Sequence, residues 1–169
     1  ALVMPDLDPP HAQKERSALG QLAQAYNLQL QGPLQQREQV LDTLRTGDFQ
    51  LLHFSVHGAF NAVDAEQSEL RVGDAVLTPA DLIGGDLRGL RRQRPLVFLN
   101  ACAGGRNDFA LTGIGGWAHK FFVEGRASAF VGTLWAVNPE LAAAFAEQFY
   151  TLLAQGYTLG EAARAARFH

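Results

Sequence analysis

The segment Pro95-Leu-Val-Phe-Leu-Asn100-Ala-Cys102-Ala-Gly-Gly105 opens on a proline, runs apolar and closes on two glycines. An apolar run bounded in this way reads as a strand buried in a parallel sheet. The strand is expected to stop just before Cys102, the only cysteine in 169 residues. A second stretch, Phe49-Gln-Leu-Leu-His53-Phe54-Ser55-Val56, has the same shape, with His57-Gly58 where it ends. Open parallel sheets bind ligands beyond the carboxyl ends of their strands. If the two strands are neighbours, His57 and Cys102 meet at that edge. A thiol beside an imidazole is the minimal kit for nucleophilic catalysis.

Working outward, 169 residues suit one domain with a real core. The opening Ala1-Leu-Val-Met4 reads as a strand already under way, so the chain is expected to be part of a longer protein. A net charge of -3 gives no bulk reason to expect nucleic acid. One cysteine makes no internal disulfide, which leans toward a reducing compartment and a cytoplasmic location. It is also too few for a Cys-rich zinc site, and neither metal nor cofactor is expected. No apolar run reaches about 18 residues, so no membrane span is read. No basic segment precedes an apolar core, so no signal peptide is read.

Punctuation orders the rest. Ala1–Met4 is a short strand. Asp8 and Pro9 cap a helix to about Tyr26, with Leu19, Leu22 and Tyr26 on one face and Asn27 as its stop. Leu28–Leu30 is expected as a short second strand. Gly32-Pro33 breaks the chain before a helix over Gln35–Leu44, stopped by Gly47. Glu69–Thr78 reads as a hairpin turning at Gly73-Asp74. Thr78-Pro79 opens a short helix through Ile83. Arg88, Arg91, Arg92 and Arg94 are placed in a solvated loop. After Cys102 an irregular loop over Ala103–Ala110 leads to a helix near Gly115–Glu124, with Trp117, Phe121 and Phe122 apolar. Ser128–Trp135 is the next strand. Asn138-Pro139 caps a long helix with Leu141, Phe145, Phe149 and Leu152 on one face, ended by Gly156. Thr158 and Glu161 make a capping box for the last helix. Strands alternating with helices predict an α/β fold, a mostly parallel sheet covered on both faces.

Among the histidines, His57 is preferred because Gly58 beside it lets a ligand approach the backbone closely. His53 shares its face but sits in mid-strand, where residues pack. His119 is taken as a surface or packing residue, and His11 and His169 lie near the termini. A lone cysteine after a buried strand is often only a small core residue. Here Ala103-Gly104-Gly105 follows it and moves it toward the crevice, where free N–H groups can nest an anion. The caspase signature is a cysteine preceded by Gln-Ala and followed at the second position by Gly, with a histidine about fifty residues upstream. Asn100-Ala-Cys-Ala-Gly104 comes close without matching it fully, since Asn replaces Gln and Ala follows the cysteine, and His57 stands 45 residues upstream.

The chain resembles the CHAT domain, a bacterial branch of the caspase-like (clan CD) cysteine peptidases that includes separase relatives. Four blocks carry the likeness: Leu52-His-Phe-Ser-Val-His-Gly58; Leu96-Val-Phe-Leu-Asn-Ala-Cys-Ala-Gly104; Gly116-Trp-Ala118 through Gly125 into Gly132-Thr-Leu-Trp-Ala-Val137; and Phe149-Tyr150, Leu153, Gly156 and Glu161-Ala162. The resemblance implies a single caspase-like domain, a three-layer α/β/α sandwich, over residues 1–169. It implies a cysteine endopeptidase with a His57/Cys102 dyad and an oxyanion hole from the backbone N–H groups of Gly58 and Cys102. It places a substrate pocket at Asp6, Trp135, Asn138 and Glu140. Asn138-Pro139 stands where many relatives carry acidic residues, so no basic preference before the cut is read. Asp8 is read as a helix cap. Partners implied are a protein or peptide substrate and helical repeats of the TPR type elsewhere in the full protein, with neither nucleic acid nor membrane.

The competing reading keeps the fold as a catalytically silent interaction module. A phosphatase loop would set an arginine at fixed reach after the cysteine, where Arg106 is only four residues on and position 108 is Asp. A glutamine amidotransferase would place its histidine far downstream, where only His119 and His169 stand. No G-x-G-x-x-G follows a strand to hold a dinucleotide.

Overall fold

Leu96–Ala103 (β5) is the spine of the sheet, and Leu96 to Ala101 are buried at every position, as a strand covered on both faces requires. The computed structural model describes residues 1–4, 10–61, 63–103, 113–133 and 137–167, with the backbone alone at 102–103 and 113–115. The chain divides into two compact units, Ala1–Pro5 with Gly32–Val137 and Asp6–Gln31 with Asn138–His169.

In the first unit, β5 pairs in parallel with Leu51–Ala59 (β2) on one side and Ala129–Gly132 (β6) on the other. The opposite edge of β2 is shared. Leu2–Val3 (β1) pairs in parallel with His53 and Phe54, and Glu69–Val72 (β3) pairs antiparallel with His57–Ala59. Ala75–Leu77 (β4) continues from β3 through a turn at Gly73, whose φ of 62° suits a residue without a Cβ. The sheet is therefore mixed rather than mostly parallel. The expected hairpin is present, but it is joined to β2, and a strand returning through so short a connection must run antiparallel.

Two further expectations fail for physical reasons. No strand forms at Leu28–Leu30, where Leu28 and Leu30 remain 37% and 38% exposed. Leu34 takes the free edge of β1 instead: its N–H donates to Leu2 O at 2.8 Å, and Met4 N–H donates to Leu34 O at 3.2 Å. Of the arginines before Pro95, Arg88, Arg91 and Arg92 lie in a helix, Arg88–Gln93, which Arg94 ends at φ 50°, and two of them hold backbone carbonyls. Arg92 Nη2 donates to Thr46 O and Gly47 O, closing the end of the helix Arg37–Thr46, and Arg91 donates to Gly84 O and Glu124 O. The two helices touch through Gly89, where a Cβ would lie 2.5 Å from Leu44 O.

Numbered in chain order, the helices are α1 (Pro10–Ala25), α2 (Arg37–Thr46), α3 (Arg88–Gln93), α4 (Gly113–Ala118), α5 (Pro139–Ala154) and α6 (Leu159–Ala166). Helix α4 runs on into a π turn, His119–Glu124, in which Gly125 N–H reaches back to Lys120 O. Trp117 and Phe121 stack at 5.4 Å, and Phe121 meets Phe54 of β2 at 5.5 Å, so this helix seals the buried face of the strand. Each such side chain contributes about 1.5–3 kcal/mol by leaving water. Phe122 falls off the buried stripe and is half exposed. Lys120 is buried, with Nζ 2.9 Å from Glu124 and 3.7 Å from Glu66.

The second unit packs α1 and α6 on α5. Asn27, at φ 52°, ends α1 as expected, and Tyr26 is half exposed with its hydroxyl donating to Leu153 O at 2.6 Å. The buried face of α5 is Ala142, Ala143, Ala146, Phe149, Tyr150 and Leu152. Leu141, expected on that face, is 66% exposed. The small alanines instead permit close helix packing. Tyr150 is fully buried, as is Glu15 of α1; burial and the nearby Glu15 charge together hold the Tyr150 phenol well above its ordinary range. The capping box of Thr158 and Glu161 forms as expected.

Candidate active site

Strand β2 carries hydrophobic Leu52, Phe54 and Val56 into the core, and this alternation turns His57 out to solvent. In the parallel ladder with β5, position 57 pairs with position 102 and position 58 with 103. Neighbouring strands lie about 4.8 Å apart, so paired residues are adjacent. The two candidate residues are thus brought together, although both lie inside their strands rather than beyond them. Strand β2 continues to Ala59 because β3 supplies it with a partner there, and β5 continues to Ala103 against Gly58.

Beside His57, Gly58 has little room for a side chain. A Cβ there would lie 3.1 Å from the Ala101 Cβ and 3.4 Å from Glu69 O. His53, the rival imidazole, is fully buried and stacks on Phe98 with ring centroids 5.0 Å apart. It pairs with Phe98, four positions back from Cys102, and belongs to the core. His119 is exposed, with Nδ1 3.4 Å from Glu124 Oε1. The third neighbour of His57 was not singled out from sequence: Arg71 of β3 pairs with it from the side opposite Cys102.

Asp6, Asp8, Trp135, His169 and most of the loop over Ala103–Ala110 lie outside the described residues. Asn138 is the cap of α5, its side chain accepting from Glu140 N–H at 2.8 Å, and Glu140 is exposed in the first turn. Among the described residues, no three His, Cys, Asp or Glu side chains gather as metal ligands, and no helix is long and apolar enough to cross a membrane.

The chain is thus an α/β protein with a mixed open sheet, in which positions 57 and 102 are paired across adjacent parallel strands. The family model for the CHAT domain matches residues 2–169, and the chain belongs to that family, which is related to the cysteine peptidases. No curated protein matches the chain.

Proposed function

We propose that the chain is a cysteine endopeptidase with a His57/Cys102 dyad. One observation carries the reading: the pairing of positions 57 and 102 across β2 and β5. The Cys102 sulfur attacks the scissile carbonyl carbon, forming a carbon–sulfur bond while His57 takes the thiol proton. As the carbon–nitrogen bond breaks, His57 gives that proton to the leaving amine. Water then hydrolyses the thioester, again with His57 as base. The oxyanion of each tetrahedral state is assigned to the backbone N–H groups of Gly58 and Cys102. On the resemblance alone, the pocket before the cut is assigned to Asp6, Trp135, Asn138 and Glu140. The substrate is a protein or peptide, helical repeats elsewhere in the full protein regulate access, and a lone cysteine suits a reducing cytoplasm.

The test is labelling with peptide electrophiles read by intact mass. A single cysteine makes every adduct an adduct of Cys102. The native chain is expected to label at least about a hundredfold faster than its His57→Ala variant, the usual worth of general base assistance. Equal rates overturn the dyad and leave the silent interaction module as the description of the chain.

A further inference from the structure

The ladder around His57 is wider than the dyad. Reading across the sheet, β4, β3, β2 and β5 set Val76, Arg71, His57 and Cys102 in one row of paired positions. Paired residues of adjacent strands project from the same face. Arg71 is exposed and, among the described residues, makes no ion pair. Leu70 and Val72, on either side of it, are buried in the core, so the strand itself fixes which way Arg71 points.

We infer that Arg71 is a specificity residue that selects an acidic side chain on the leaving-group side of the cut. The inference rests on the peptidase reading above. With the acyl carbon at Cys102 and the amine taking its proton from His57, the departing peptide must continue past His57, away from Cys102. The next position in that direction is Arg71. An extended chain advances about 3.3 Å per residue, and His57 and Arg71 backbones are about 4.5–5.5 Å apart. The first or second residue after the cut therefore comes within reach of the guanidinium. That group offers forked donors suited to a carboxylate. Glu69, exposed one step nearer the rim on the same face, would repel an acid and attract a base, so the two side chains oppose each other. Arg71 prevails in this assignment because it shares the row with His57, whereas Glu69 pairs with Ala59.

The experiment is digestion of a peptide library with the whole chain, cut sites read by sequencing the new amino termini, beside the Arg71→Gln, Arg71→Glu and Arg71→Lys variants. The native chain is expected to favour Asp or Glu at the first two positions after the cut by about tenfold in kcat/KM, the worth of one charge-assisted hydrogen bond. Arg71→Gln should lose the preference for Asp and Glu over neutral residues at those two positions. Arg71→Glu should turn it toward Lys and Arg, and Arg71→Lys should keep part of it. His57-dependent cleavage with the same preference in Arg71→Glu overturns the role of Arg71 and leaves the peptidase standing. Absence of any His57-dependent cleavage removes the peptidase and this inference together.

Discussion

Two glycines inside helices should answer the same substitution with opposite signs. Gly116 lies within α4, where Gly→Ala by propensity alone stabilises by about 1 kcal/mol. A Cβ at Gly116, however, would run into the Ala65 carbonyl oxygen and stand 2.7 Å from its carbon, against about 3.4 Å for ordinary contact. The obstacle is backbone, in the 3-10 turn Ala65–Gln67 that follows β2, and no rotamer change relieves it. Overpacking of this kind costs about 1–3 kcal/mol, and a backbone obstacle puts it at the upper end. Net of propensity, Gly116→Ala is expected to destabilise by about 2 kcal/mol, a fall in Tm of about 4–8 °C for a chain of this size. Gly20 in α1 has, apart from its chain neighbours and its own helix backbone, no heavy atom within 4 Å of where its Cβ would stand. Gly20→Ala should stabilise by about 0.5–1 kcal/mol. Urea denaturation of both variants decides the matter: the midpoint should fall for one and rise for the other, with the m value unchanged. A Gly116→Ala chain as stable as its parent would refute the close packing of α4 on the Ala65 turn.

Other consequences are open to direct measurement. Tyr150 has its phenol pushed up by burial and by Glu15, so the folded state keeps a proton that the unfolded state releases near pH 10. That stability is complete below about pH 10 and drains as alkalinity rises beyond it; Tyr150→Phe should flatten the fall of denaturation free energy above about pH 10. A fall as steep in the variant would show that Tyr150 is not its source. Arg92→Ala, which strips two donors from the exposed end of α2, should cost about 1 kcal/mol in urea midpoint analysis; no change would mean water replaces the guanidinium without loss.

The elements legible in the sequence were those whose signal is local. The run Leu96–Leu99 is buried on both faces and is apolar throughout. Gly73-Asp74 must turn, and Thr158 with Glu161 closes a capping box in any context. The misread elements are decided by distant partners. Leu28 and Leu30 look like strand residues, yet the edge of β1 they would need is taken by Leu34. Helix α3 offers only Gly89 and Leu90 to the core among its six residues, so no apolar period announces it. Leu141 looks like the start of a buried stripe, but the interior is lined by alanines. The ends of β2 and β5 were set too early because each is prolonged by its neighbour. Near the candidate site, strand position told an exposed His57 from a buried His53. Arg71 was passed over, although alternation with Leu70 and Val72 already marked it as facing away from the core; only the pairing of β3 with β2 shows that it stands beside His57.

The ladder between β2 and β5 also bears on when the site comes into being. The hairpin of β3 and β4 closes over a few residues and can form while the chain is young. His57 and Cys102 are joined only by strands with that hairpin, α3 and their connections between them, the kind of distant pairing that forms slowly. A nascent or partly melted chain lacking this one ladder carries both residues and no dyad. The proposed nucleophile is thus withheld by topology until β5 has paired with β2.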